Sequence, residues 1–185
     1  MSIKAGDFKT GLTIIVDGDP WVVLDFMHVK PGKGSAYLST KMRNLKTGNT
    51  LERNFNANTE FEAAPIEKKI VNFSYSVDDI YTFMDNETYD TYDLTEDQIG
   101  DKKYYIVDGL EVSLVMYQGA VIDISLPATV NMVVTETTPA LKGVPSTQTK
   151  NATTETGLNL RVPQFIEQGE TIAVSTADGK YSSRA

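Results

Sequence analysis

Lys33 stands between two glycines in the run Lys30-Pro31-Gly32-Lys33-Gly34. A primary ammonium framed by residues without side-chain bulk can enter a confined space and meet phosphate or hydroxyl oxygens there. From Phe26 to Leu51 the chain carries five cations, Lys30, Lys33, Lys41, Arg43 and Lys46, and no carboxylate, although its formal net charge is -8. Such a segment suits a polyanion, because attraction to phosphate is sequence-independent and strong at low salt. A solvated hairpin tip is the plainer alternative, since exposure is the ordinary state of a lysine.

The elements that must position Lys33 follow from the flanking pattern. Pro31 fixes φ at the second position of a turn, and Gly32 is expected to supply the positive φ that a type II turn needs next. The arms read as strands. Trp21-Val22-Val23-Leu24 is apolar and rich in valine, and Val29 closes the ascending arm. On the descending arm Ala36, Leu38, Thr40 and Met42 alternate with Ser35, Tyr37, Ser39, Lys41 and Arg43, a period of two. A hairpin of this kind would carry the Lys33 amine away from the body on a narrow stalk.

Beyond the hairpin, β-like runs such as Val112–Tyr117 and Thr129–Thr135 are punctuated by turn signals at Asp17-Gly18-Asp19-Pro20, Lys46-Thr47-Gly48-Asn49, Asp85-Asn86-Glu87, Gln118-Gly119 and Asp178-Gly179. One helix signal occurs, the capping-box pattern Thr95-Glu96-Asp97-Gln98, cut short by Gly100. Many short strands at this spacing predict an all-β chain of small barrels. Pro65 and Pro127 mark convenient seams, giving expected domains at 1–63, 64–126 and 127–185. These hold 8 basic and 7 acidic, 4 basic and 13 acidic, and 5 basic and 5 acidic residues respectively. The acidity sits in the middle third, where it either solvates exposed turns or faces basic protein.

Composition excludes several chemistries. No cysteine is present, so neither a disulfide framework nor a thiolate metal site can form. The only histidine, His28, lies among apolar strand residues and reads as structural; no Ser-His-Asp set can be assembled around it. Gly32-Lys33-Gly34-Ser35 lacks the direct Lys-Ser/Thr step and the glycine spacing of a phosphate loop. No enzyme, metal or cofactor is expected. The N-terminal residues lack the apolar run of a secretory signal and no segment approaches a membrane span, so a cytoplasmic protein is expected.

Three segments carry a family resemblance. His28-Val29-Lys30-Pro31-Gly32-Lys33-Gly34, with Lys41-Met42-Arg43-Asn44-Leu45 and Thr47-Gly48, resembles the first domain of bacterial elongation factor P. Lys150-x-Ala152-x4-Gly157-x2-Leu160-x-Val162-Pro163-x2-Ile166-x2-Gly169 fits that family's C-terminal signature at every fixed position, and Tyr181-Ser182-Ser183-Arg184 is similar to its Tyr-x-Ser-Arg tail. The resemblance spans the chain. It implies an SH3-like N-terminal barrel followed by two OB-folds, arranged as an L whose outline is like that of transfer RNA.

It also implies a function. A factor of this family binds the ribosome between the peptidyl and exit sites and relieves stalls at consecutive prolines. Lys33 would sit at the peptidyl-transferase centre beside the peptidyl-tRNA end, commonly lengthened in the family by a lysine-modifying enzyme; a lysine here excludes the arginine-sugar variant. Lys30, Pro31, Gly32 and Gly34 would shape the tip. Lys41 and Arg43 are candidates for RNA backbone contact, with the outer face of a strand as the alternative. Tyr181 and Arg184 are candidates for transfer or ribosomal RNA, with a core-closing role as the alternative for Tyr181. Gly157, Val162 and Pro163 read as fold determinants. The family's third-domain loop usually runs Gly-Asp-Thr, whereas Gly143-Val144-Pro145-Ser146-Thr147-Gln148 lacks the aspartate. A monomer is expected. Two alternatives stand beside this reading: a generic OB-fold RNA binder, against which the clustering of aromatics in the acidic third argues, and a divergent paralogue with a non-prolyl target.

Overall fold

The computed structural model describes residues 1–185. It is an all-β molecule of sixteen strands, β1 to β16, with one short helix and two 3-10 turns, all-β as the strand spacing predicts and with the SH3-like barrel and two OB-folds that the resemblance implies. By packing, the chain forms two compact units. One comprises Met1–Lys68 with Val115–Asp123, the other Lys69–Leu114 with Ile124–Ala185.

In the first unit, β2 (Thr13–Val16), β3 (Asp19–Val29), β4 (Tyr37–Asn44) and β5 (Thr50–Asn56) make a four-stranded antiparallel sheet in sequence order. A separate ribbon pairs β1 (Ser2–Lys4) with β6 (Glu60–Glu62). The period of two read from the descending arm holds: Leu38, Thr40 and Met42 are buried, while Lys41 is exposed. Leu38 and Met42 meet Phe8, Ile14, Val23 and Phe55 in one core. Phe8, Phe55 and Phe61 pack with ring centroids 4.8 to 6.3 Å apart. Burying each such ring removes enough apolar surface to stabilise the fold by roughly 2 kcal/mol.

The middle sheet is ordered β11-β10-β7-β8-β9. Its strands are β7 (Ile66–Val77), β8 (Ile80–Met84), β9 (Thr91–Thr95), β10 (Glu111–Tyr117) and β11 (Ala120–Ser125). The capping box forms as the sequence predicts. Thr95 Oγ1 accepts the Gln98 N–H and Gln98 Oε1 accepts the Thr95 N–H, starting α1 (Glu96–Ile99), which ends at Gly100. A 3-10 turn over Gly100–Tyr105 follows, which the sequence pattern did not signal.

The last sheet is ordered β14-β13-β12-β15-β16. It is built from β12 (Thr129–Thr137), β13 (Thr149–Thr154), β14 (Asn159–Pro163), β15 (Thr171–Ser175) and β16 (Tyr181–Arg184). Val130, Met132, Val134, Val162, Ile166 and Ile172 form its core. Within the second unit Tyr105, Val107 and Leu110 also pack onto that core, and Thr156 Oγ1 donates to the Tyr104 carbonyl at 2.5 Å. The segment after α1 therefore packs on the C-terminal core within the second unit.

Candidate functional site

The long arms β3 and β4 carry the Lys33 tip. Their ladder runs from Trp21↔Asn44 to Val29↔Tyr37 with one bulge between Val23 and Asp25. Beyond that last pair, residues 30–36 form a wide loop without regular structure, and Lys30, Pro31, Gly32, Lys33 and Gly34 are all exposed. The expected type II turn does not form. The left-handed step falls at Gly34, with φ of 114°, and not at Gly32. Seven residues separate the strand ends, so the reversal is spread along the loop and does not need a positive φ directly after Pro31. A Cβ at Gly32 would meet nothing, whereas at Gly34 it would sit 3.8 Å from Pro31 Cγ in a backbone region that side chains disfavour.

The basic island looks different once the sheet is assembled. Arg43 donates to Asp123 Oδ2 at 2.9 Å. Lys46 reaches Asp19 Oδ1 at 3.1 Å and lies 5.9 Å over the Tyr117 ring. The hydrogen bond from Lys46, with a second from Asn44, holds the Asp19 carboxyl below its ordinary value. Lys41 makes no ion pair but stands in register between Asp25 and Glu52 on the neighbouring strands. Cross-strand pairing thus supplies the carboxylates that the linear segment lacks. Only Lys30 and Lys33, past the end of the ladder, keep clear of them, so the uncompensated charge is concentrated at the tip. Partners such as Asp19, 27 residues before Lys46, and Asp123, 80 residues after Arg43, are the residues that sequence reasoning missed.

His28 shares a face with Leu38 at the rim of the barrel, exposed and edge-on to Phe26 at 5.9 Å. It has no acid or nucleophile partner. No group of three or more His, Asp or Glu side chains is set to hold a metal, and no helix is long and apolar enough to cross a membrane.

The two tail candidates lie far along the chain in the second unit. Tyr181 is half-buried against the C-terminal core. Arg184 stacks 4.8 Å over the Phe165 ring and its guanidinium bonds Glu170 Oε1 at 3.0 Å, so its charge is already balanced. Of the signature residues, Lys150 is buried and its ammonium donates to the Thr138 carbonyl, tying the base of the loop before β13. Val162 and Ile166 are wholly buried, and Gly157 takes φ of 85°.

Comparison with known proteins agrees with this arrangement. Residues 4–61 match the elongation factor P KOW-like domain, 66–124 the elongation factor P OB domain, and 130–184 the elongation factor P C-terminal domain. Among solved structures, the chain is similar to a protein described as eukaryotic translation initiation factor 5A from Methanococcus jannaschii. That likeness has a TM-score of 0.53 and 22% identity, over 67% of this chain and 93% of the other. It is also similar to a translation initiation factor eif-5a family protein from Naegleria fowleri, with a TM-score of 0.47 and 16% identity over 68% and 98%. The first of these likenesses bears on fold alone. The three domain matches fall in order along a single all-β chain whose first barrel projects a lysine-tipped loop, and on that ground the chain belongs to the elongation factor P family.

Proposed function

We propose that this protein binds the ribosome beside the peptidyl-tRNA in the cytoplasm and promotes peptide-bond formation at consecutive prolines. Its three domains would be residues 1–63, 64–126 and 127–185. The observation that carries the reading is the position of Lys30 and Lys33, exposed and without an ion pair, on a loop at the far end of the ladder between β3 and β4. Proline's ring fixes φ and hinders its amine, so polyproline chains align badly for transfer. A factor that holds the tRNA end in a reactive pose accelerates the reaction without chemistry of its own, and positioning contributes several powers of ten. Lys33 meets the phosphates and hydroxyls of the tRNA terminus. Pro31, Gly32 and Gly34 keep the loop slim, and Lys30 adds long-range attraction. Lys41 and Arg43 stand toward the RNA backbone, Arg43 more weakly because Asp123 holds it. Tyr181 and Arg184 contribute chiefly by completing the last barrel. The factor acts as a monomer with no cofactor, and a lysine-modifying enzyme extends Lys33.

The test is translation of a reporter with consecutive prolines, alongside a proline-free control. Lys33→Ala is expected to abolish the relief of stalling while ribosome binding changes by less than about threefold. Equal, mild loss of both would overturn the assignment. Intact mass of the protein from its native cells, with the tip peptide fragmented, reads whether Lys33 carries an added group.

A further inference from the structure

The turn that joins β4 to β5 is held in one shape. Asn44 is buried, and its Oδ1 accepts the Lys46 N–H at 2.8 Å and the Thr47 N–H at 3.0 Å. Its Nδ2 donates to Asp19 Oδ2 at 3.3 Å, and the Leu45 N–H donates to the Pro20 carbonyl at 2.9 Å. The turn is thereby fixed to the start of β3. Two cations flank Asn44 on this platform, Arg43 just before it and Lys46 two residues after.

Both reach a segment that belongs, by sequence, to the acidic third. Val115–Asp123, which contains the turn between β10 and β11, packs as part of the first unit. That turn is tight, with Gln118 and Gly119 at φ of 51° and 78°. Arg43 donates to Asp123 Oδ2 on the β11 arm at 2.9 Å, and Lys46 lies 5.9 Å over the ring of Tyr117, a buried residue on the β10 arm. One cation therefore holds each arm. The Arg43 and Asp123 side chains are 37% and 26% exposed, and an ion pair so open to solvent adds little to stability. What two contacts on two arms do fix is direction, since a single contact would leave the hairpin free to pivot.

The strand that carries Arg43 also carries the tip. β4 begins at Tyr37, beside the loop that holds Lys33, and ends at Asn44. At a rise of about 3.3 Å per residue, Arg43 stands about 20 Å from the foot of that loop. A rotation of about 10° at Arg43 would displace the foot of the loop by about 3.5 Å, well beyond the roughly 1 Å misplacement that can cost about a hundredfold in rate.

We propose that Arg43 and Lys46, gripping Asp123 and Tyr117, are positioning residues that set the direction of the Lys33 tip. The inference deepens the proposed function and rests on it, because direction matters only if Lys33 must meet one fixed target. Arg43 then acts chiefly through Asp123, and its contact with RNA backbone is secondary.

Asp123→Asn separates the two roles of Arg43. Loss of the clamp should lower the maximal rate of stalling relief about tenfold. The factor concentration for half-maximal relief should change less than about twofold, and the melting temperature by less than about 3 °C. If Arg43 worked by RNA contact, freeing it would give the wild-type rate at a lower factor concentration, and that result overturns the proposal. Arg43→Asp should show the same loss of rate, and combining it with Asp123→Arg should restore most of it. A double variant no better than either single one overturns the proposal.

Direction itself can be read by spin labels. Because the chain has no cysteine, Met27→Cys on β3 and Gln118→Cys at the hairpin turn, both exposed, can each carry one. A single narrow distance is expected in the otherwise wild-type protein and a broadened one with Asp123→Asn. A distribution that stays narrow with Asp123→Asn, or one that broadens while relief is unchanged, overturns the proposal. Lys33→Ala tells the two readings apart. If it retains full relief, the proposed function falls; if it loses relief while Asp123→Asn retains it, this inference falls alone.

Discussion

The two stretches that make this chain recognisable are built in opposite ways. Lys30 to Gly34 touches almost nothing: its residues are exposed, its cations unpaired, and its glycines meet open space or, at most, the proline ring 3.8 Å away. The C-terminal signature is consumed by folding. Val162 and Ile166 are wholly buried, Lys150 is stapled to Thr138, and even the tail arginine is held by Phe165 and Glu170. A residue pattern that the fold does not need must answer to something outside the molecule, and a pattern that the fold consumes need not.

That contrast can be broken most forcefully in the signature. Ile166→Ala, in a site with no exposure, should cost about 2 to 5 kcal/mol by lost burial and the cavity left behind, read by denaturant melts. A cost under about 1 kcal/mol would mean that the barrel collapses onto the gap. The next largest effect is expected at Gly179, whose φ is 70° and where a Cβ would lie 2.8 Å from the Tyr105 hydroxyl. Gly179→Ala should cost about 1 to 2 kcal/mol from backbone conformation alone, with the clash added. Tyr105→Phe should restore the clash component, so a double-mutant cycle with no coupling would show that the contact is relieved by movement.

A change in the opposite direction is expected beneath the tip hairpin. Thr40 is fully buried and its hydroxyl has no partner. Thr40→Val should raise stability by about 1 kcal/mol, because an orphaned hydroxyl carries a desolvation cost that a methyl does not. A fall in stability would show that the hydroxyl is satisfied.

Asp85 tests the acidic sheet. Hydrogen bonds from the Glu87 and Thr88 N–H groups, then Lys69, hold its carboxyl below the ordinary value of 3.8. A depressed folded-state pKa gives stability that is full above 3.8 and lost as pH falls through the lower folded value. Melting temperature should therefore drop below pH 3.8, and Asp85→Asn should flatten that part of the profile. An unchanged profile would place the acid sensitivity elsewhere. The smallest effects belong to the tip, where Lys33→Ala and Gly32→Ala should shift stability by less than about 0.5 kcal/mol. Gly34→Ala should cost more than either because its φ is positive.

The alternation on β4, the capping box at Thr95 and the turn at Asp178-Gly179 were legible because each depends on residues within a few positions of one another. The turn type at Pro31-Gly32 is not legible for the complementary reason: loop width is set by where the ladder between β3 and β4 stops, and a four-residue window does not contain that information. The 3-10 turn over Gly100–Tyr105 escaped because Tyr105 is held by packing on a distant core and not by its own sequence.

The sequence by itself determined the strand periodicity, the lysine at the tip, the absence of thiol chemistry and the charge of each third. These are properties of residue type and order. Which cations remain free was decided only by the tertiary structure. Asp19, Asp123 and Glu170 reach Lys46, Arg43 and Arg184 from elsewhere in the chain, while Lys33 lies past the last strand pair. Coulomb energy falls with distance through space and not along the chain, so only the folded arrangement could say where the uncompensated charge stands.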